Sequence, residues 1–148
     1  MNDLSYKIIS ALPYGDDFRF VDEITYVDED RIVGNYTFRA DAAFYDSHYV
    51  HYPVTPGVLL LECMGQIGLV CHLVFLEKIY EIGGPVSPVL SSVESNFLKS
   101  VGRGETVFVE SEKIYYRAGV LKSKLCLRDL SGEVCLQSIA QLKILRNE

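Results

Sequence analysis

From Val58 to Leu76 the chain is apolar apart from Glu62, Gln66 and His72, with Gly65 and Gly68 inside the run. Pro56-Gly57 stand immediately before it and the stretch "IGGP" after it. Pro and Gly are helix boundaries, so the pattern predicts one helix, buried nearly all round and closed by the glycines. The run is long enough for a membrane span. A central acidic group costs a lone span about 2.5–3.5 kcal/mol, however, and an amide lies one turn away, so a core helix of a soluble protein is expected.

The remainder reads as strands. "FRFVDEITYVDEDRIVGNYTF" gives two runs joined by the polar turn "DEDR". "VSPVLSSVESNFL", "ETVFVESEKIYY", "GVLKSKLCLRDL" and "EVCLQSIAQLKIL" give four more, linked by the short Gly-bearing stretches "KSVGRG", "RAG" and "LSG". In the last run Val134, Leu136, Ser138, Ala140, Leu142 and Ile144 fall on one side. The order is strands, one buried helix, then antiparallel strands. A helix that is apolar all round needs cover on most faces, and a curved sheet wrapped around it supplies that cover. The fold class expected is therefore α+β, one antiparallel sheet around one long helix, in a single domain over residues 1–148. An open sheet leaves edges, and edge-to-edge pairing hides them, so a dimer is expected.

Composition narrows the picture. The apolar share of 49% excludes a disordered chain, and a net charge of −6 argues against nucleic-acid binding. Cys63, Cys71, Cys126 and Cys135 match no metal-binding spacing and read as reduced thiols of a cytoplasmic protein. Cys126 and Cys135 flank the turn "DLSGE" and are placed to face each other across a hairpin. "MNDLSYK" lacks the shape of a signal peptide. Neither a membrane nor a nucleic-acid partner is expected.

The chemistry concentrates in "DSHYVHYPVTPGVLLLECMGQ". Pro53 and Pro56 stop a helix from running through, so His48 belongs to a loop and Glu62 to the helix. Gly57 lets a ligand approach the backbone, and the N–H groups of Gly57 and Val58 point out of the helix start. With the helix dipole they form a site for developing negative charge. A loop imidazole, a helix carboxyl and an oxyanion site are the parts that proton abstraction alpha to a thioester carbonyl requires. The imidazole would take the alpha proton, and the carboxyl would give a proton to a departing beta-hydroxyl. His51 lies three residues after His48 without a third ligand at a telling offset, so no metal is expected. His72 reads as a packed, hydrogen-bonded core histidine. Lys99, Arg103 and Arg117 fall near predicted strand ends, as solvated surface or as contacts for an acidic carrier.

This stretch resembles the central motif of the hot-dog-fold 3-hydroxyacyl-[acyl-carrier-protein] dehydratases of the FabZ/FabA type, His-Phe-Pro-x-x-Pro-Val-x-Pro-Gly-Val-Leu-x-x-Glu. His48, Pro53, Val54, Pro56, Gly57, Val58, Leu59, Glu62 and Gln66 stand at matching offsets. "LPYGDDFRFVDEI" is similar to the family's opening Leu-Pro-His segment, and "NFLKSVGRGETV" to its Lys-Phe segment. The resemblance implies the hot-dog fold and loss of water from a 3-hydroxyacyl thioester to give the trans-2-enoyl form, in fatty acid or polyketide/polyene-type biosynthesis. It implies His48 as base and Glu62 as acid or water-holding partner, brought by the other subunit of a dimer. Gly57 and Val58 would hold the thioester oxygen and Gln66 would orient Glu62. The substrate would arrive on the phosphopantetheine of an acyl carrier protein, with no further cofactor.

The chain departs from the pattern at three places. Ser47 stands where a Gly usually precedes the histidine, "HYVHYP" lacks the proline after the base, and Tyr14 replaces an early His. The tyrosine-rich stretch from Phe44 to Tyr52 suits an aryl or polyene acyl chain, or simply packs its loop. Two other readings share these residues: a hot-dog acyl thioesterase, and a non-catalytic hot-dog partner subunit in a heterodimer.

Overall fold

The computed structural model describes residues 2–47, 54–84 and 86–145. Helix α1 spans Asp3–Ser10, followed by strands β1 (Glu23–Val27) and β2 (Arg31–Thr37). The central helix α2 runs from Gly57 to Leu76, and a short α3 covers Ile79–Ile82. Strands β3 (Pro88–Phe97), β4 (Thr106–Arg117), β5 (Val120–Arg128) and β6 (Val134–Ile144) complete the chain. All pairings are antiparallel, and the six strands lie in the order β1-β2-β4-β5-β6-β3. The sheet wraps one face around α2, which is the hot-dog arrangement that the resemblance implies.

Alternation explains the sheet's grip on the helix. Val107, Val109 and Ser111 of β4, Leu121, Ser123, Leu125 and Leu127 of β5, and Leu136, Ser138, Ala140 and Leu142 of β6 are all buried. They meet Cys63, Ile67, Cys71, Leu73 and Val74 of α2, each without solvent contact. The expected one-sided series in β6 holds from Leu136 to Leu142. It breaks at Val134, because a register shift inserts Cys135 between the partners of Leu127 and Arg128. Two-thirds (67%) of the most apolar window of α2 is buried inside the fold, as a core helix requires.

Helix and sheet approach closely at two glycines. A Cβ at Gly68 would lie 2.9 Å from Cβ of Ser111 and 2.4 Å from Cδ2 of Leu125. A Cβ at Gly34 of β2 would lie 2.7 Å from the Glu23 carbonyl oxygen and 2.8 Å from Cγ2 of Ile67. The glycines inside the apolar run are therefore not breakers. Gly68 lets the helix lie on the sheet. The backbone widens to π geometry over Gln66–Val70, and this is the stretch in which Gly68 sits.

Three features differ from the sequence reading. First, α1 had no expected counterpart. Asn2 caps it by accepting from Ser5 N, and Ser5 Oγ in turn accepts from Ile24 N of β1 at 2.9 Å. Ile8 and Ile9 join the core, so α2 is not the only helix that the sheet must accommodate. Second, the central helix stops at Leu76, before the Gly pair. Lys78 takes a left-handed φ of 52°, and Gly83 (φ 75°) ends the separate α3 instead. Third, Cys126 lies opposite Gln137 rather than Cys135, while all four cysteines are free, as the reading of reduced thiols expects.

His72 is wholly buried, as a core histidine should be. Its Nε2 lies 2.9 Å from the Asp28 carbonyl oxygen, which fixes the proton on that nitrogen. Burial is the largest influence on the ring and lowers its pKa below the ordinary value; Lys113 adds to this, and Asp28 and Asp30 oppose it. A lowered folded-state pKa means that the unfolded chain binds the proton more readily. Stability from this group is complete above the unfolded pKa, about 6.5, and is lost as pH falls below it. Denaturant titrations between pH 7.5 and 5 are expected to show a steeper loss for the native chain than for His72→Leu. A second expectation concerns packing: Gly68→Ala should destabilise the fold by about 1–3 kcal/mol in the same assay, since Ser111 Cβ is part of a strand and cannot yield.

Candidate active site

The start of α2 is held from outside the helix. Thr55 N donates to the Val101 carbonyl at 2.7 Å, and Val54 bridges to Gly102. The Thr55 hydroxyl shares a 2.6 Å hydrogen bond with the hydroxyl of Tyr45, a residue 1% exposed. Residues 45 and 55 flank the segment that contains His48, so its two ends are tied together. His48 itself, with His51 and Pro53, lies outside the described residues.

No side chain caps the helix at Pro56. The first amides of a helix have no partner within it, and Leu59 N and Leu60 N are the first to turn back, both to the Pro56 carbonyl. The N–H groups of Gly57 and Val58 have no acceptor among the described residues, and the side chain of Val58 is 72% exposed. The ring of Phe97 covers Gly57 so closely that a Cβ there would meet its Cε1 at 3.1 Å. The helix start therefore presents amides without a side-chain cap beside an aromatic wall.

Glu62 is half-buried in the second turn. Gln66, wholly buried, donates from Nε2 to Glu62 Oε2 at 2.9 Å and to the Phe18 carbonyl at 2.9 Å. Its Oε1 accepts from Phe20 N at 2.7 Å. All three bonds are consistent with one amide orientation, so the carboxylate is locked by a residue that cannot turn away. Gln66 is thus hydrogen-bonded to the residue that it is expected to orient.

Beside Glu62 a cavity of about 160 Å³ runs between α2 and the sheet. Val58 and Leu61 line it from the helix, and Leu125, Ala140 and Leu142 from the sheet. Pro88, Leu90 and Val93 come from β3, the free edge of the sheet. Tyr14, from the segment between α1 and β1, also faces it. Thus Gly57, Val58, Glu62 and Gln66 come together on one helix, and Glu62 lines a mostly apolar cavity.

The basic residues considered for carrier contacts divide. Lys99 is committed to the β5–β6 hairpin, 2.5 Å from Asp129 and 2.8 Å from Glu133. Asp129 holds that turn by accepting from Ser131 and Glu133, and its carboxyl is held well below the usual range by Lys99 and these donors. Arg103 lies 5.0 Å from the Tyr45 ring centroid and 3.5 Å from Asp46, on the side of the site. Arg117 stacks on Tyr115 at the hairpin end of β4.

The family model for the FabA-like domain matches residues 12–127. The chain belongs to the FabA-like family. It is similar to the 3-hydroxyacyl-[acyl-carrier-protein] dehydratase FabZ of Acinetobacter baylyi, with 26% identity over 142 residues, 96% of this chain and 95% of that one. The FabZ of Desulforamulus reducens is 32% identical over 117 residues, 78% of this chain and 80% of its own length. Among solved structures, a chain of the dehydratase heterocomplex ApeI:P from Xenorhabdus doucetiae superposes with a TM-score of 0.79 at 11% identity, covering 95% of this chain and 91% of that chain. A thioesterase from Haemophilus influenzae superposes with a TM-score of 0.57 at 17% identity, covering 84% of this chain and 78% of that one. The structural likenesses establish the hot-dog fold.

Two side chains at the site went unassigned in the sequence: Phe97, which walls the helix start, and Thr55, which anchors it. The signal for Thr55 was a lone hydroxyl between Val54 and Pro56. For Phe97 it was the position in "NFLKSV". Gln66→Leu is expected to lower turnover on a 3-hydroxyacyl carrier at least 10-fold, because it frees Glu62 and leaves Phe20 N unpaired. Gln66→Glu, which keeps the acceptor, should retain more folded protein by circular dichroism.

Proposed function

We infer that this protein removes water from 3-hydroxyacyl thioesters carried on acyl carrier protein, giving trans-2-enoyl thioesters. The observation that carries this reading is the carboxyl group of Glu62, hydrogen-bonded by Gln66, lining a mostly apolar cavity and little more than one turn from an uncapped helix start. Membership of the FabA-like family and the FabZ relatives support it.

The reaction is an elimination driven by proton transfers. The thioester carbonyl docks on the N–H groups of Gly57 and Val58. As the alpha proton leaves for His48, negative charge grows on that oxygen, and each such donor contributes roughly 2.7–4 kcal/mol in comparable sites. The carbon–oxygen bond at the beta position then breaks. The departing oxygen takes the proton of Glu62, which must enter the step as the carboxylic acid, and leaves as water, so that Glu62 ends as the carboxylate and His48 holds the alpha proton. No electron acceptor enters this balance, and the phosphopantetheine arm belongs to the substrate.

The site is shared between two chains in this reading. β3 is bonded on one side only, to β6, and exposes Val89, Leu90, Val93 and Phe97 along it. An unpaired apolar strand is a template for a second strand. Because Pro88, Leu90 and Val93 also line the cavity, a chain added at β3 closes it. His48 of one protomer would then meet Glu62 of its partner, in a homodimer or with a second hot-dog chain.

His48→Ala and Glu62→Gln are each expected to lower dehydration at least 100-fold with the oligomer intact by light scattering. Mass spectrometry of a 3-hydroxyacyl carrier protein would report water loss. Mixing the two variants under conditions of subunit exchange should restore part of the activity, since one hybrid site holds both native groups. Free thiol release in place of water loss would convert the reading to thioester hydrolysis. Inactivity of the native protein unless a second hot-dog chain is added would make it a partner subunit.

A further inference from the structure

The cavity at Glu62 is lined by Val58, Leu61, Met64, Leu69, Val93, Leu125 and further apolar residues, and Tyr14 and Glu62 are its two polar side chains. Of the fourteen lining residues, the other twelve are apolar.

A phenol in an otherwise apolar wall has a cost unless its hydroxyl finds a partner. Tyr14 is half-buried, with its ring centroid 6.3 Å from that of Phe18, and its hydroxyl has no hydrogen-bond partner among the described residues. Burial, and next the charge of Glu62, push its pKa well above the ordinary value, so the group stays a neutral O–H donor at any working pH. On the carboxylate, Gln66 occupies Oε2. No hydrogen bond engages Oε1 among the described residues, and Glu62 lines the cavity together with Tyr14.

We propose that Tyr14 is a further substrate-contacting residue, whose hydroxyl donates a hydrogen bond to the 3-hydroxyl oxygen of the acyl chain beside Glu62. The proposal rests on the dehydratase reading and deepens it. The 3-hydroxyl oxygen has two lone pairs. One accepts from Tyr14 while the other takes the proton from Glu62 as the carbon–oxygen bond breaks. Tyr14 keeps its own proton throughout, so the balance of the elimination is unchanged. Its contribution is to hold the departing oxygen toward the acid and to select chains that carry a hydroxyl at that position.

The test compares two non-reacting probes, 3-hydroxybutyryl-pantetheine amide and butyryl-pantetheine amide, on native protein and Tyr14→Phe by calorimetry. The native protein should favour the hydroxylated probe. In Tyr14→Phe that probe should bind about 3- to 10-fold more weakly, with binding of butyryl-pantetheine amide unchanged, which also serves as the check on folding. Equal weakening of both probes would make Tyr14 a packing residue and overturn the proposal. A preference that survives in Tyr14→Phe would overturn it too. If the native protein dehydrates its carrier substrate but the variant keeps the preference, only the Tyr14 assignment falls. If the native protein neither dehydrates nor favours the hydroxylated probe, the dehydratase reading falls and takes the assignment with it.

Discussion

One buried amide organises the site. Gln66 has no contact with solvent, and its side chain bonds to the Phe18 carbonyl, the Phe20 amide and the Glu62 carboxylate. A buried amide left unpaired costs about 1–3 kcal/mol per group. The segment leading into β1 must therefore lie against α2 in one register, and Glu62 must take one rotamer. That segment also carries Tyr14 and Phe18, so the same three bonds that fix the acid also place the aromatic side of the cavity. The widened π turn begins at Gln66, which puts the irregularity of the helix next to its chemistry.

In the proposed dimer, β3 would couple association to substrate binding. It is the last strand of the sheet, and Pro88, Leu90 and Val93 on it line the cavity. A partner added at that edge would also finish the wall, which would constrain substitutions at Leu90 and Val93 more than their exposure suggests. The opposite edge, β1, faces no such demand, because α1 is fastened to it through Ser5 and Ile24.

Much of this was legible in the sequence, for identifiable reasons. Alternation in β4 to β6 and the long apolar run gave six strands around a helix, because burial on one face leaves a period of two and burial all round leaves none. Gly57, Val58, Glu62 and Gln66 were legible because spacing along a helix is fixed once its start is marked by a proline. α1 was not: only Leu4, Ile8 and Ile9 mark its buried face, in a helix of eight residues. The end of α2 was misplaced because Lys78 adopts a left-handed conformation that glycine more often takes. Tyr14 was seen as a departure from a motif, but its place beside Glu62 depends on contacts between positions far apart in sequence. His48 lies outside the described residues, so its geometry adds nothing to this comparison.

The fold alone does not choose between losing water and adding it, since a dehydratase heterocomplex and a thioesterase both superpose on this chain. The FabA-like family and the FabZ relatives favour losing water, and the side chains are compatible with that choice. Phe97 walls the helix start, while Glu62 lies more than a turn further along and lines a mostly apolar cavity. In the proposed reaction, a carbonyl docked at the helix start would leave Glu62 toward the acyl chain, where a beta-oxygen rather than an attacking water would meet it. The distance along one helix between an anion site and an acid would then set which bond is broken.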